Sequence, residues 1–319
     1  MFLRLDRRSL GRAAALLLLL QVAGILYFIS TIPHSKLPDL TQPSAPSASL
    51  SLKHSVLDRD RRSRDRFTHR GHQGDMASSS LSSTVRTLAG LHMPRMIYGT
   101  AWKKDATTDC VVRAVQAGFR AIDTACQPKH YREDLVGAAV AQLVERGEVR
   151  REDLFLQTKY TSADGQDPTS IPYNPAASLE DQVAASVARS LQNLRTEYID
   201  SLLLHSPMRT RADTLRVWRA LEDYVDKGVI KQLGISNIYD ADLLEFVDDS
   251  VRVKPSVVQN RFYPETNHDQ EVRAYCARKG ILYQSFWTLT GNPDAVRHPT
   301  NRRIAAAHGA TPSRCSSGS

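Results

Sequence analysis

The sequence predicts an α/β protein: a (β/α)8 TIM barrel, incomplete at seven strands and preceded by a single N-terminal transmembrane helix and a disordered linker. Three observations carry that prediction. From Thr84 onward, short apolar runs alternate with stretches of helical periodicity. The runs follow one another in single file, which favours a barrel over an open doubly wound sheet. Run after run is apolar until its last residue or two and then ends in a polar group, as strands do when their carboxyl ends meet at one face.

The N-terminal elements come first. Residues 1–12 are a basic tail containing Arg4, Arg7, Arg8 and Arg12. Residues 13–32, AAALLLLLQVAGILYFISTI, are free of charge and long enough for a bilayer core. Four arginines precede the run and only Lys36 follows closely, so the positive-inside rule gives a signal-anchor topology and a single-pass membrane protein. Two other readings stay open. The run is a cleaved signal peptide, with small residues near Ser30, or the working protein begins at Met76 and is cytoplasmic. Residues 33–83, rich in Ser, Pro, Arg, Asp and His and without periodicity, read as a disordered linker.

The net charge of +8 raises the question of nucleic acid, and its location answers it. Residues 1–83 hold 12 Lys and Arg against 6 Asp and Glu, and the remainder holds 30 against 28. Aspartates interrupt the arginine run at 58–70 and no aromatics are interleaved, so no nucleic-acid partner is expected. Cys110, Cys126, Cys276 and Cys315 are widely spaced, without a metal-binding pattern, and read as reduced thiols.

The barrel domain is expected over residues 84–310. Its strands are RMIYG at 95–99, RAIDT at 120–124, LFLQTK at 154–159, SLLLH at 201–205, KQLGIS at 231–236, SVVQN at 256–260 and ILYQSFW at 281–287. Between them lie the helical patterns CVVRAVQAGF, DLVGAAVAQLVERG, LEDQVAASVARSLQNL, TLRVWRALEDYVDKG, DADLLEFVDD and QEVRAYCARKG. Gly118, Gly147, Gly228 and Gly280 stand where helix-ending glycines belong. No eighth strand follows the seventh, and residues 311–319 read as a disordered tail. A seven-stranded barrel has an open edge, through which self-association is expected.

The polar strand ends are Asp123, Lys159, His205, Ser236 with Asn237, and Gln259 with Asn260. Strands must end somewhere polar, but an acid, an amine, an imidazole and amides at successive ends suggest chemistry. The stretch AIDTACQPKHYRED, at 121–134, bears on this. By itself it is open to a plain reading in which Asp123 caps a turn, Cys126 fills space and Tyr131 opens a helix. Alternatively Tyr131 is an acid whose phenol Lys159 brings below its usual pKa of about 10, while Asp123 holds the lysine charged. His205 would then orient a carbonyl oxygen toward the phenol. No GxGxxG, GxxxxGK[ST] or HExxH motif offers another chemistry. A hydrolase built on Ser206 beside His205 is disfavoured, since adjacent strand residues point apart and no GxSxG elbow exists.

Over roughly residues 84–310 the sequence resembles the aldo-keto reductase superfamily, through GTAW at 99–102, FRAIDTA at 119–125, YREDLVG at 131–137, QTKY at 157–160, DSLLLHSP at 200–207, GVIKQLGISN at 228–237 and VVQN at 257–260. The resemblance implies a catalytic tetrad of Tyr131, Asp123, Lys159 and His205, with Tyr131 as general acid. It implies NADPH as cofactor, with NADH not excluded, bound through Ser236, Asn237, Gln259 and Thr100. Phe286 falls where the family stacks a tyrosine on the nicotinamide ring, with Tyr283 a poorer match. Trp102 matches a wall of the substrate pocket, which it would share with His205; a simple mouth hydrophobe is the other reading. The substrate implied is a small aldehyde or ketone. Two features depart from the family: the interval between Asp123 and Tyr131 is longer, and an eighth strand with a basic segment for the adenosine phosphate is not found. A catalytically inactive barrel that binds a nucleotide or a protein is therefore the alternative.

Overall fold

The computed structural model describes residues 83–313. The tail 1–12, the apolar run 13–32, the linker up to residue 82, Met76 and Cys315 lie outside the described residues. Among the described residues no helix is long and apolar enough to cross a membrane. Cys110, Cys126 and Cys276 are unpaired.

The first element is an antiparallel hairpin of β1 (Thr84–Arg86) and β2 (His92–Pro94). The sequence pattern does not announce it, because strands of three residues are too short to show a period. Seven βα units follow. The strands are β3 (Ile97–Gly99), β4 (Ala121–Asp123), β5 (Phe155–Tyr160), β6 (Ser201–Leu204), β7 (Leu233–Ser236), β8 (Val257–Arg261) and β9 (Leu282–Phe286). The helices between them are α1 (Thr107–Gln116), α2 (Glu133–Glu145), α3 (Leu179–Leu194), α4 (Arg211–Asp226), α5 (Ala241–Ser250) and α6 (Gln270–Lys279). Each strand falls on a predicted run, with β5 and β8 each running one residue further, to Tyr160 and Arg261. Two short helices after β9, α7 (Pro293–Arg297) and α8 (Pro299–Ala307), were not predicted; a proline in the first turn of each is their local signal.

The helices begin and end for local reasons. Ser178 Oγ accepts from the Asp181 amide at 3.1 Å to cap α3, and Thr210 Oγ1 accepts from the Asp213 amide at 3.0 Å to cap α4. At the other end of α6, Gly280 takes φ +72°, a left-handed turn that releases the chain into β9. Gly137 in α2 serves packing instead. A Cβ there would sit 1.9 Å from the Asn193 carbonyl oxygen, so glycine permits α2 to press against the end of α3.

All seven strands are parallel and pair in sequence order, with β3 and β9 at the two edges. Side chains alternate between the helical shell and the interior. Leu202, Leu204, Ile235 and Val258 face outward, against Val183, Val187, Trp218 and Val247. The inward residues form layers. Ala121, Phe155, Leu203 and Val257 make an apolar floor, closed from below by Met93 of the hairpin. Above the floor lies a polar layer of Asp123, Gln157, Gln259 and Gln284.

That layer shows how strongly the sheet curls. Gln157 Nε2 on β5 donates to Gln284 Oε1 on β9 at 2.9 Å, and Gln259 Nε2 on β8 donates to Asp123 Oδ1 on β4 at 3.2 Å. Both pairs are four strands apart, roughly 19 Å in a flat sheet. The sheet therefore bends through most of a barrel, and its carboxyl ends converge on one mouth.

Candidate active site

Lys159 is the centre of the mouth. It is 1% exposed, and its ammonium donates to Asp123 Oδ1 and Oδ2, both at 2.7 Å, and to the Thr124 carbonyl at 2.8 Å. All three of its donors are used. Burial is the largest influence and disfavours the charge, but Asp123, together with Tyr131 and Glu133, outweighs it and holds the lysine above its ordinary pKa. Asp123 Oδ1 also accepts from Gln157 at 2.8 Å. The carboxylate is thus held from β5 and β8 as well as by the lysine.

Tyr131 lies on the loop between β4 and α2, which is longer than the family pattern and is pinned along its length. The Tyr131 amide donates to the Gln127 carbonyl at 3.0 Å, Gln127 Nε2 to the Gly165 carbonyl at 2.6 Å, and Gln166 Nε2 to the Cys126 carbonyl at 2.9 Å. So placed, the Tyr131 ring lies with its centre 5.2 Å from the Lys159 ammonium and edge-on to His205, 6.0 Å between centroids. The expected lowering of the phenol pKa is corrected here. Burial raises it; Lys159 pulls it down and Asp123 pushes it up, and the net direction is upward.

His205 follows the last residue of β6. Burial, with Lys159 and His130 adding like charge, pushes its imidazole down to about 3, so it is neutral at ordinary pH. Its Nδ1 lies 2.6 Å from Thr161 Oγ1, which leaves Nε2 for a ligand.

On the opposite wall, Ser236 Oγ donates to the Gln259 carbonyl at 2.6 Å, and Asn237 Nδ2 donates to the His205 carbonyl at 2.8 Å. Tyr239 OH donates to Asn237 Oδ1 at 3.1 Å. Both side-chain bonds of Gln259 run from Nε2, to Asp123 and Gln284, so Oε1 is the acceptor left for an incoming amide. Phe286 ends β9, directly opposite Arg261 in register. Thr100 is buried, and its hydroxyl donates to the Asp123 carbonyl at 2.8 Å, a bond that places Asp123. Trp102 is 57% exposed and packs at a tilt against His130, 4.1 Å between ring centres, a lip of the mouth on the Tyr131 side.

Asp123, Tyr131, Lys159, His205, Asn237, Ser236 and Gln259 are therefore joined by an unbroken chain of contacts. The sequence reading missed Thr161, Gln157, Gln284 and His130. Alternation from Lys159 puts Thr161 on the same face, a signal that was present; nothing local marks the two glutamines as partners.

Residues 95–291 match the family model described as the Aldo/keto reductase family. The chain is 31% identical over 233 residues to the glyoxal reductase of Bacillus subtilis, covering 72% of this chain and 75% of that protein. It is 27% identical over 271 residues to the NAD(P)H-dependent D-xylose reductase of Scheffersomyces stipitis, covering 72% and 79%. Among solved structures, an aldo/keto reductase from Brucella melitensis superposes with a TM-score of 0.60 at 26% identity, covering 73% of this chain and 82% of that one.

Proposed function

Because the chain belongs to the aldo/keto reductase family, we propose that it reduces the carbonyl of a small aldehyde or ketone to the alcohol, with Tyr131 delivering the proton to oxygen. The observation that carries this reading is the buried Asp123–Lys159 ion pair held against the Tyr131 ring beside a neutral His205. NADPH is the cofactor, consistent with the NAD(P)H-dependent Scheffersomyces relative, and NADH belongs in the same tests. When bound, the nicotinamide supplies the hydride.

The chain's own residues supply the rest. Ser236, Asn237 and Gln259 would hold the carboxamide, Gln259 through the Oε1 acceptor that its own bonds leave free, and Phe286 would offer a ring face to the nicotinamide. His205 Nε2 donates to the carbonyl oxygen and turns it toward the phenol. A raised phenol pKa keeps Tyr131 protonated, as an acid must be before it acts. As charge develops on the oxygen, the proton passes to it and the resulting phenolate faces the Lys159 ammonium. Asp123 keeps that ammonium charged and still. Trp102 and His130 wall the side from which substrate enters. A buried ion pair beside a phenol supports catalysis over a non-catalytic barrel.

The test is loss of NADPH absorbance with the full chain against glyoxal, short aldehydes, aldoses and simple ketones. Carbonyl-dependent oxidation is expected; none with any of them, in either nicotinamide cofactor, overturns the reading. The outer edge of β9 pairs with no strand among the described residues, which supports pairing with a second copy; concentration-independent monomers in sedimentation would refute that part.

A further inference from the structure

Arg261 ends β8 on its inward face, two residues beyond Gln259 and opposite Phe286. Alternation puts it on the same wall as Gln259, roughly 7 Å nearer the mouth. Its guanidinium carbon lies 4.3 Å from the centre of the Trp287 ring, 5.3 Å from Tyr263 and 5.9 Å from Phe286. These aromatics position the cation without occupying its N–H donors. Among the described residues no carboxylate, carbonyl or hydroxyl accepts from it, and its buried Nε has no hydrogen-bond partner.

Leaving a buried donor unmet is unfavourable, and a methionine would fill the same aromatic box without that cost. Arginine makes sense there if its planar fork meets an oxyanion. We propose that Arg261 anchors an oxyanion site at the barrel mouth, binding a phosphate or carboxylate group beside the nicotinamide position. The oxyanion has two sources: the diphosphate of the dinucleotide, or an anionic group on the carbonyl substrate. The diphosphate is favoured, because Arg261 stands on the wall of Gln259, the side assigned above to the cofactor. This identification of the ligand rests on the function proposed above; the site itself does not.

The experiment compares the full chain with Arg261→Met and Arg261→Lys, using NADPH and inorganic pyrophosphate as probes. Kinetics at saturating NADPH compare a 2-keto acid with a neutral aldehyde. Arg261→Met is expected to weaken NADPH and pyrophosphate by roughly 10- to 100-fold, with a melting temperature equal to or above the parent's. Arg261→Lys should recover only part, since an ammonium is a point charge that cannot lie between rings as a fork. A selective rise in KM for the keto acid, with NADPH binding unchanged, would assign the oxyanion to the substrate and keep the site. Unchanged binding of both probes together with an unchanged ratio of the two KM values overturns the site. Arg261-dependent binding of pyrophosphate by a protein that reduces no carbonyl would overturn the reaction proposed above and leave the site standing.

Discussion

Lys159 Nζ stands 2.7 Å from each carboxylate oxygen of Asp123, in a position where 1% of the lysine is exposed. Two opposite charges so deep are a stability liability unless each satisfies the other, and here neither can be removed alone without stranding its partner.

Lys159→Met should destabilise the fold by about 3–5 kcal/mol, the usual penalty for a buried charge left unpaired. The double variant Asp123→Asn with Lys159→Met should regain part of that loss, although neither protein should reduce carbonyls. Urea unfolding measures it. A double variant no more stable than the single one would show that the two residues do not act as a pair.

Tyr131→Phe should lower kcat/KM for every carbonyl by about 10²- to 10⁴-fold, the usual contribution of a general acid. NADPH affinity should stay within roughly twofold, since the change removes one hydroxyl and no ring contact. Retention of more than about half the parent rate would exclude Tyr131 as the acid.

The pH dependence of stability has a definite sign at His205. The unfolded chain takes up this proton near pH 6.5 and the folded chain only near about 3, so unfolding binds a proton between those values. The contribution is full above 6.5 and is lost as the pH falls, with a slope approaching about 1.4 kcal/mol per pH unit. Comparing urea midpoints of the parent and His205→Asn from pH 7 to 4 isolates it. Parallel curves would contradict the burial that holds the imidazole neutral.

Gly137→Ala should destabilise the protein. The added Cβ meets the Asn193 carbonyl oxygen at 1.9 Å and Leu194 Cα at 2.8 Å, backbone atoms that cannot swing aside. Overpacking of this kind costs about 1–3 kcal/mol, more than the roughly 1 kcal/mol that alanine gains in helix propensity. An equal or higher melting temperature would mean that α2 and α3 can separate freely.

By itself the sequence determined the seven strands, their order and the polar residues at their ends. Each of those is a local matter: alternation, apolar run length and a terminating glycine are properties of windows a few residues wide. That Asp123, Lys159 and His205 share one mouth followed from the same counting, because parallel strands in file bring all their last residues together. Tertiary structure alone decided what those residues feel. The direction of the Tyr131 shift is a balance between burial and two opposed charges, and no window of sequence contains the depth at which the ring sits. Nor does any window contain the Gln157–Gln284 bond, 127 residues apart in sequence, or the aromatic box that β9 closes around Arg261. Such contacts exist only once the sheet has curled, since curling makes neighbours of side chains that a flat sheet would hold far apart.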